Sequence, residues 1–333
     1  MKPHLTQPIY HAILFTLLTF SHHLSAKETT TIPKSIDTSS AQTMQVPGYF
    51  RTQVGAMRVT ALFDGNIPLP APIFKGISTD DVKKRWQVMY DETPDGVQTA
   101  VSAYLINTGH QNILVDTGAA NCFGSSLGHL SSNLKTAGYQ ASDIDAILIT
   151  HLHPDHSCGL VDNDNQTVFK NATVYMDEKE AAYWLSADEA QKAPKNLQPF
   201  FPMAQKSITP YQKTGQLKTF KVGENIVEGI QSIAEYGHTP GHVGYLFKSN
   251  GQKMLIWGDL VHSYSLQLKN PQIAIEFDQN SAQAIESRLR ILSKTASEGT
   301  LVGGAHMPFP GLGHIVTEEW GYAWIPSKYS TVE

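Results

Sequence analysis

Apolar residues come in short runs broken by polar or glycine-bearing positions, and their spacing changes along the chain. Before residue 48 there is one apolar block, "AILFTLLTF" (12–20), followed by a Ser/Thr/Gln/Lys-rich stretch with little to bury. Order is expected to begin near Tyr49, where "MRVTALFD" (57–64) alternates at the period of a strand. "STDDVKKRWQVM" (78–89) predicts a short amphipathic helix capped by Ser78 or Thr79. "VSAYLINTG" and "QNILVDTG" (101–118) predict a hairpin through Gly109 and His110. A helix through "SLGHLSSNLKTAG" (126–138) is expected to end at Gly138. It leads to "DAILI" (145–149), an apolar run suited to a buried parallel strand.

"ATVYM" (172–176) predicts another strand, and "DEKEAAYWLSADEAQKA" (177–193) one helix with acids in its first turn. The second half repeats this grammar. Strands are expected over 226–237 and over 243–259, the latter turning on Asn250-Gly251. An amphipathic helix over 280–297 and a last short strand over 300–306 complete the pattern. Mixed elements in both halves, with no Gly/Ser linker between them, indicate one α/β domain of layered sheets over residues 48–333.

The N-terminus changes the picture of where the protein acts. Residues 1–26 run from a basic residue, Lys2, through the apolar block to "SHHLSA", the order of an export signal and too short to span a bilayer. Cleavage after Ala26 leaves a flexible leader over 27–47 and predicts a periplasmic or secreted protein with no stable membrane anchor. Loss of Lys2 takes the net charge from −5 to −6, so the mature chain has no basic face for nucleic acid. Two cysteines, Cys122 and Cys158, do not make a disulfide framework. Cys158 is read first as a small buried hydrophobe; a disulfide with Cys122 and a contact in the functional site stay open beside it.

The chemistry is concentrated in "THLHPDHSCG" (150–159), which places His151, His153, Asp155 and His156 in one turn after the "DAILI" strand. Neutral imidazole and ionised carboxylate are ordinary ligands of a divalent metal, which explains why such residues gather. Three more loops end predicted strands: "YGHTPGH" (236–242), "GDLVH" (258–262) and "GGAHMPFPG" (303–311). Loops leaving strand termini meet in α/β folds, so these segments together offer ligands for two metals.

"HLHPDH" resembles the HxHxDH signature of the metallo-β-lactamase superfamily, and "GHTPGH", "GD" and "GAH" follow in the order that superfamily uses. "DTGAANCFG", "LKTAGYQ", "ITHLHPDH" and "FPGLGHI" most resemble methyl parathion hydrolase and its quorum-quenching lactonase relatives. The resemblance implies an αββα sandwich with the metals at one edge of two sheets. By motif, His151, His153 and His238 would hold one metal, Asp155, His156 and His306 the other, and Asp259 would bridge them. His242 is left outside the ligand set, and Asp116 of "VDTG" is expected to orient a ligand histidine. Zinc is the default, although the same ligands accept manganese, iron or cobalt.

The resemblance implies hydrolysis of a small-molecule lactone, ester or organophosphate triester by a hydroxide shared between the metals. Thioester hydrolysis of the glyoxalase II kind and β-lactam cleavage are the alternatives. Relatives are commonly homodimers. Phe123, Trp184 and one of Phe200 and Phe201 are read either as ordinary core or, as the resemblance implies, as lining the leaving-group pocket. His262, three residues after Asp259, stands where related lactonases carry a tyrosine that contacts the substrate carbonyl. It is read either as an oxyanion donor or as a rim histidine facing water.

Overall fold

The computed structural model describes residues 45–227 and 229–331. The segment expected to be an export signal (1–26) and nearly all of the expected leader (27–47) lie outside the described residues, whose regular structure starts at Tyr49 as the alternation predicts.

The first half lays down β1 (Tyr49–Val54), β2 (Met57–Leu69), the two-residue β3 (Phe74–Lys75), β4 (Glu92–Thr93), β5 (Gly96–Asn107), β6 (Asn112–Val115), β7 (Ala146–Leu148), β8 (Thr173–Asp177) and β9 (Leu217–Phe220). The second half adds β10 (Ile230–Ala234), β11 (Val243–Ser249), β12 (Gln252–Ile256), β13 (Ala274–Ile275), β14 (Leu301–Gly303), β15 (Leu312–Thr317) and β16 (Tyr322–Pro326). One sheet runs β1-β2-β5-β6-β7-β8-β9, with β4 paired to β5. The other runs β10-β11-β12-β14-β15-β16, and β13 pairs with β3 to join the two halves. Pairing from β6 to β9 is parallel, so four consecutive strands point their C-terminal ends to the same edge. In the second sheet β12 and β14 are the parallel pair.

Period-two alternation sorts side chains into three layers. Tyr104 and Ile106 of β5 meet Tyr245, Phe247, Met254 and Ile256 between the sheets. Their neighbours Ala103 and Leu105 turn outward to a layer containing Trp184, Phe201 and Ile208. Leu246 and Leu255 turn the other way, toward Ile291 and Leu292 of the helix Ser281–Glu298. The result is an αββα sandwich, as the resemblance implies.

The local expectations hold where a turn or a cap is encoded. The helix Thr79–Met89 is capped by Ser78, whose hydroxyl accepts from Asp81 N. Asn107 and Asn112 face each other at the end of the predicted hairpin. Asn250 (φ 47°) and Gly251 (φ 77°) make the other turn, which needs two left-handed residues.

Four readings need correction, and one helix went unread. The helix expected from 126 starts only at Leu130, because Gly128 N and Leu130 N donate to the buried Asp64 carboxylate and hold residues 126–129 as a loop. The helix expected over 177–193 is two, Glu178–Trp184 and Ala187–Lys192, since Ser186 leaves the helical conformation and caps the second. The strand expected over 226–237 is confined to Ile230–Ala234. The strand near 300 is not the last: β15 and β16 follow it and complete the second sheet. Phe200–Lys213 is a helix that Pro202 and Pro210 conceal in the sequence.

Candidate metal centre and the cavity beside it

Strand ends build the site. After β7 the chain turns through Thr150 into "HLHPDH", where Pro154 starts a single helical turn that carries Asp155 and His156. The loops after β10, β12 and β14 bring His238, Asp259 and His306 to the same place. Two groups result, His151–His153–His238–Asp259 and Asp155–His156–His306–Asp259, with ligand atoms within 4.8 Å of one another in each group. All seven side chains are buried.

Asp259 belongs to both groups, and its two oxygens divide the site. Oδ2 lies 3.3 Å from His238 Nε2 and 3.6 Å from His151 Nε2. Oδ1 lies 2.9 Å from His156 Nε2 and 3.1 Å from His306 Nε2. His151 Nε2, His156 Nε2 and Asp259 Oδ1 are buried without a hydrogen-bond partner, an expensive arrangement for polar atoms unless a cation meets them. The donor set of imidazoles and carboxylates therefore fits two divalent ions that share Asp259.

The electrostatics agree. Burial holds the His151 and His153 imidazoles well below their usual range, so both present free lone pairs. His156 lies well above its range: burial opposes charge there, but the Asp259, Asp155 and Asp116 carboxylates outweigh it. Those carboxylates favour positive charge within this half of the site.

Neighbouring groups fix the rings. Asp116 Oδ2 accepts at 2.8 Å from His156 Nδ1, as expected of the "VDTG" aspartate. Ala100 O lies 2.8 Å from His306 Nδ1. Asp278 Oδ1 lies 3.0 Å from His238 Nδ1, a partner that no motif marks because Asp278 comes from a loop forty residues away. Asp278 in turn stands 3.8 Å from the buried Arg288 guanidinium, which also donates to Leu260 O beside Asp259. His242 stays out of both groups: Asp259 N donates to its Nε2 at 3.1 Å, so it orients the backbone of the shared aspartate. His314 points outward from β15 and takes no part.

A cavity of about 400 Å³ opens beside the metal groups, with Ile67, Leu69, Ile73, Phe123, Phe200 and Phe277 among its apolar walls. Phe123 and Phe200 meet edge to face across it. Trp184 and Phe201 do not reach it. They pack on each other at 4.6 Å in the core, where Trp184 backs the His153 ring at 5.3 Å. Their helices turn these faces inward, which the sequence spacing does not reveal. The aliphatic wall from β2 and Phe277 were missed because their apolar pattern reads as ordinary core.

His262 is not a rim histidine. It is buried, its Nε2–H donates to Asp259 Oδ2 at 3.1 Å, and its ring stacks on His306 at 5.2 Å. Burial pushes the imidazole down to about 4, so it is neutral near pH 7 and donates from one nitrogen. Cys158 is likewise not a free buried thiol: it forms a disulfide with Cys122, tying the Phe123 loop to the "HLHPDH" turn.

The sequence profile of the metallo-β-lactamase superfamily matches residues 96–314, which include every residue of the two groups. The chain belongs to the metallo-β-lactamase superfamily and is a metal-dependent hydrolase. Among solved structures it is similar to the hydrolase AbOPH of the β-lactamase superfamily, at 40% identity and a TM-score of 0.83, over 86% of this chain and 100% of that one. It is also similar to AidC, a dizinc quorum-quenching lactonase in complex with an N-acyl-L-homoserine product, at 26% identity and a TM-score of 0.78, over 85% and 99% of the two chains. A probable metal-dependent hydrolase from Staphylococcus aureus shares the fold at 21% identity and a TM-score of 0.69, over 84% and 100%. Comparison with curated proteins gave no match.

Proposed function

We propose that this protein is an exported dinuclear hydrolase of lactones or esters, with zinc in both positions and phosphotriester cleavage as a secondary activity. The observation that carries the reading is the placing of His262. Its one N–H is held by the shared Asp259 and its ring forms part of the wall of the apolar cavity, so this N–H would reach a carbonyl oxygen entering from that cavity by turning from Asp259 to it. A pair of divalent ions supplies a hydroxide at neutral pH and Lewis-acid polarisation of a substrate oxygen.

The protein's own groups do the rest. Asp259 holds the two halves in register through its separate oxygens, while Asp116 and Asp278 fix the tautomers of His156 and His238. Phe123, Phe200 and the aliphatic wall hold an acyl or aryl group and exclude water. Similarity to the dizinc lactonase AidC supports both the metal and the substrate class. The Cys122–Cys158 disulfide supports an oxidising compartment, in keeping with the export segment.

The test is a substrate panel of lactones, aryl esters and phosphotriesters, run on the zinc-loaded protein with metal analysis. Two ions per chain and preferred turnover of lactones or esters are expected. A single ion with full activity would remove the bridging role from Asp259, and preferred phosphotriester turnover would reverse the order of substrates.

A further inference from the structure

Glu180 belongs to none of the motifs, yet both of its oxygens are spent on the metal-bearing loops. It sits on the inward face of the helix Glu178–Trp184 and is fully buried. Oε1 accepts from Leu152 N at 2.8 Å, the backbone amide between His151 and His153. Oε2 accepts from Thr239 Oγ1 at 2.7 Å and from Gly241 N at 3.0 Å, in the loop that presents His238. One carboxylate thus joins the loop after β7 to the loop after β10, and these belong to different sheets. The three histidines of one metal group are the ones it ties together.

The contact leaves no slack. A Cβ on Gly241 would come within 2.2 Å of Glu180 N, so the loop lies directly on the first turn of the helix. A buried carboxylate is costly unless donors satisfy it, and here three do. Asp116 is satisfied in the same way but across both groups: it accepts from Thr150 N, Thr150 Oγ1 and His156 Nδ1, each at 2.8 Å, and Thr150 Oγ1 lies 3.1 Å from His151 Nδ1.

We propose that Glu180 is a positioning residue that sets the metal affinity of the His151–His153–His238 group independently of the Asp155–His156–His306 group. The proposal rests on the dinuclear reading above. In Glu180→Gln the side chain keeps its shape, but its NH2 faces an N–H or hydroxyl donor and at least one loop is released. The three imidazoles then lose their common spacing, whereas Asp116 still holds His156.

The test measures zinc occupancy at each position by anomalous scattering from crystals equilibrated with graded chelator, with chelator competition in solution beside it. Wild type should titrate as two ions; fewer than two would overturn the dinuclear reading and this proposal with it. In Glu180→Gln the three-histidine position should weaken by about 10-fold or more, the range found when a supporting partner of a ligand is lost, while the other position stays as in wild type. Asp116→Asn, which loosens His156 and the Thr150 support of His151 together, should weaken both positions. Thr239→Val removes a single bond and leaves the charge in place, so it tests the same position if Glu180→Gln does not fold. It should weaken that position alone, by less. Equal loss at both positions in the Glu180 and Thr239 variants would mean a general folding role and overturn the proposal. So would unchanged occupancy at the three-histidine position.

Discussion

His262 and Asp259 share one hydrogen bond, and breaking it tests the proposed order of substrates. If the His262 N–H turns to a developing oxyanion, His262→Leu should lower lactone turnover by about 10²-fold, the usual loss of one such donor. A phosphotriester gains from the added apolar wall, so the ratio of the two activities should swing toward it. Steady-state kinetics on both substrates, with zinc content measured alongside, decides the matter. Equal losses on both substrates with full zinc would assign His262 to holding Asp259 in place. Burial keeps this imidazole neutral in either case, so the expected effect comes from a lost N–H and not from a lost charge.

At the scale of elements, the site depends on loops packed too closely for added atoms. Gly159 follows "HLHPDH" and lies under "VDTG", where a Cβ would sit 1.9 Å from Thr117 O. Thr117 holds His156 O through both its N–H (2.8 Å) and its hydroxyl (2.9 Å). Gly159→Ala should force these two loops apart and destabilise the fold by about 1–3 kcal/mol, the usual cost of overpacking. Chemical denaturation measures that loss, and chelator competition should show weaker metal binding with it. An alanine variant of wild-type stability would show that the loops have room to separate. The glycine was legible as part of "HSCG", but its reason was not, since Thr117 is forty-two residues away. The broken helix after Trp184 teaches the same lesson: the reading over 177–193 ran straight through Ser186, and only the folded chain shows it as a cap.

For the whole molecule, the disulfide agrees with the proposed export. Cys122 and Cys158 close a separation of 36 residues, for which chain-entropy arguments give about 4 kcal/mol of stabilisation. Reduction, or paired substitution by alanine, should lower Tm measurably and loosen the Phe123 side of the cavity. An unchanged Tm would remove the bond from the stabilising set. Expressed with its own N-terminus, the protein should be recovered outside the cytoplasm with a mature start near Lys27, checked by N-terminal sequencing. Intact Met1 in the cytosol would overturn the export reading.

Sequence alone indicated the candidate metal ligands, through motifs that resemble the superfamily's and lie on one short turn and on strand-end loops. "HLHPDH" closes on itself within six residues, and alternation places His238, Asp259 and His306 just past buried strands. It also determined the layered fold, since period-two runs separated by amphipathic helices have few other ways to bury their faces. Tertiary structure alone decided which aromatics line the cavity beside the metal groups. Phe123 and Phe200 line the cavity while Trp184 and Phe201 fill the core, a choice made by how their helices dock. It decided the Cys122–Cys158 bond and the support given by Asp278 and Glu180 as well. Each of these joins residues far apart in sequence, where no local preference specifies the partner and only the packed arrangement of two sheets brings them within reach.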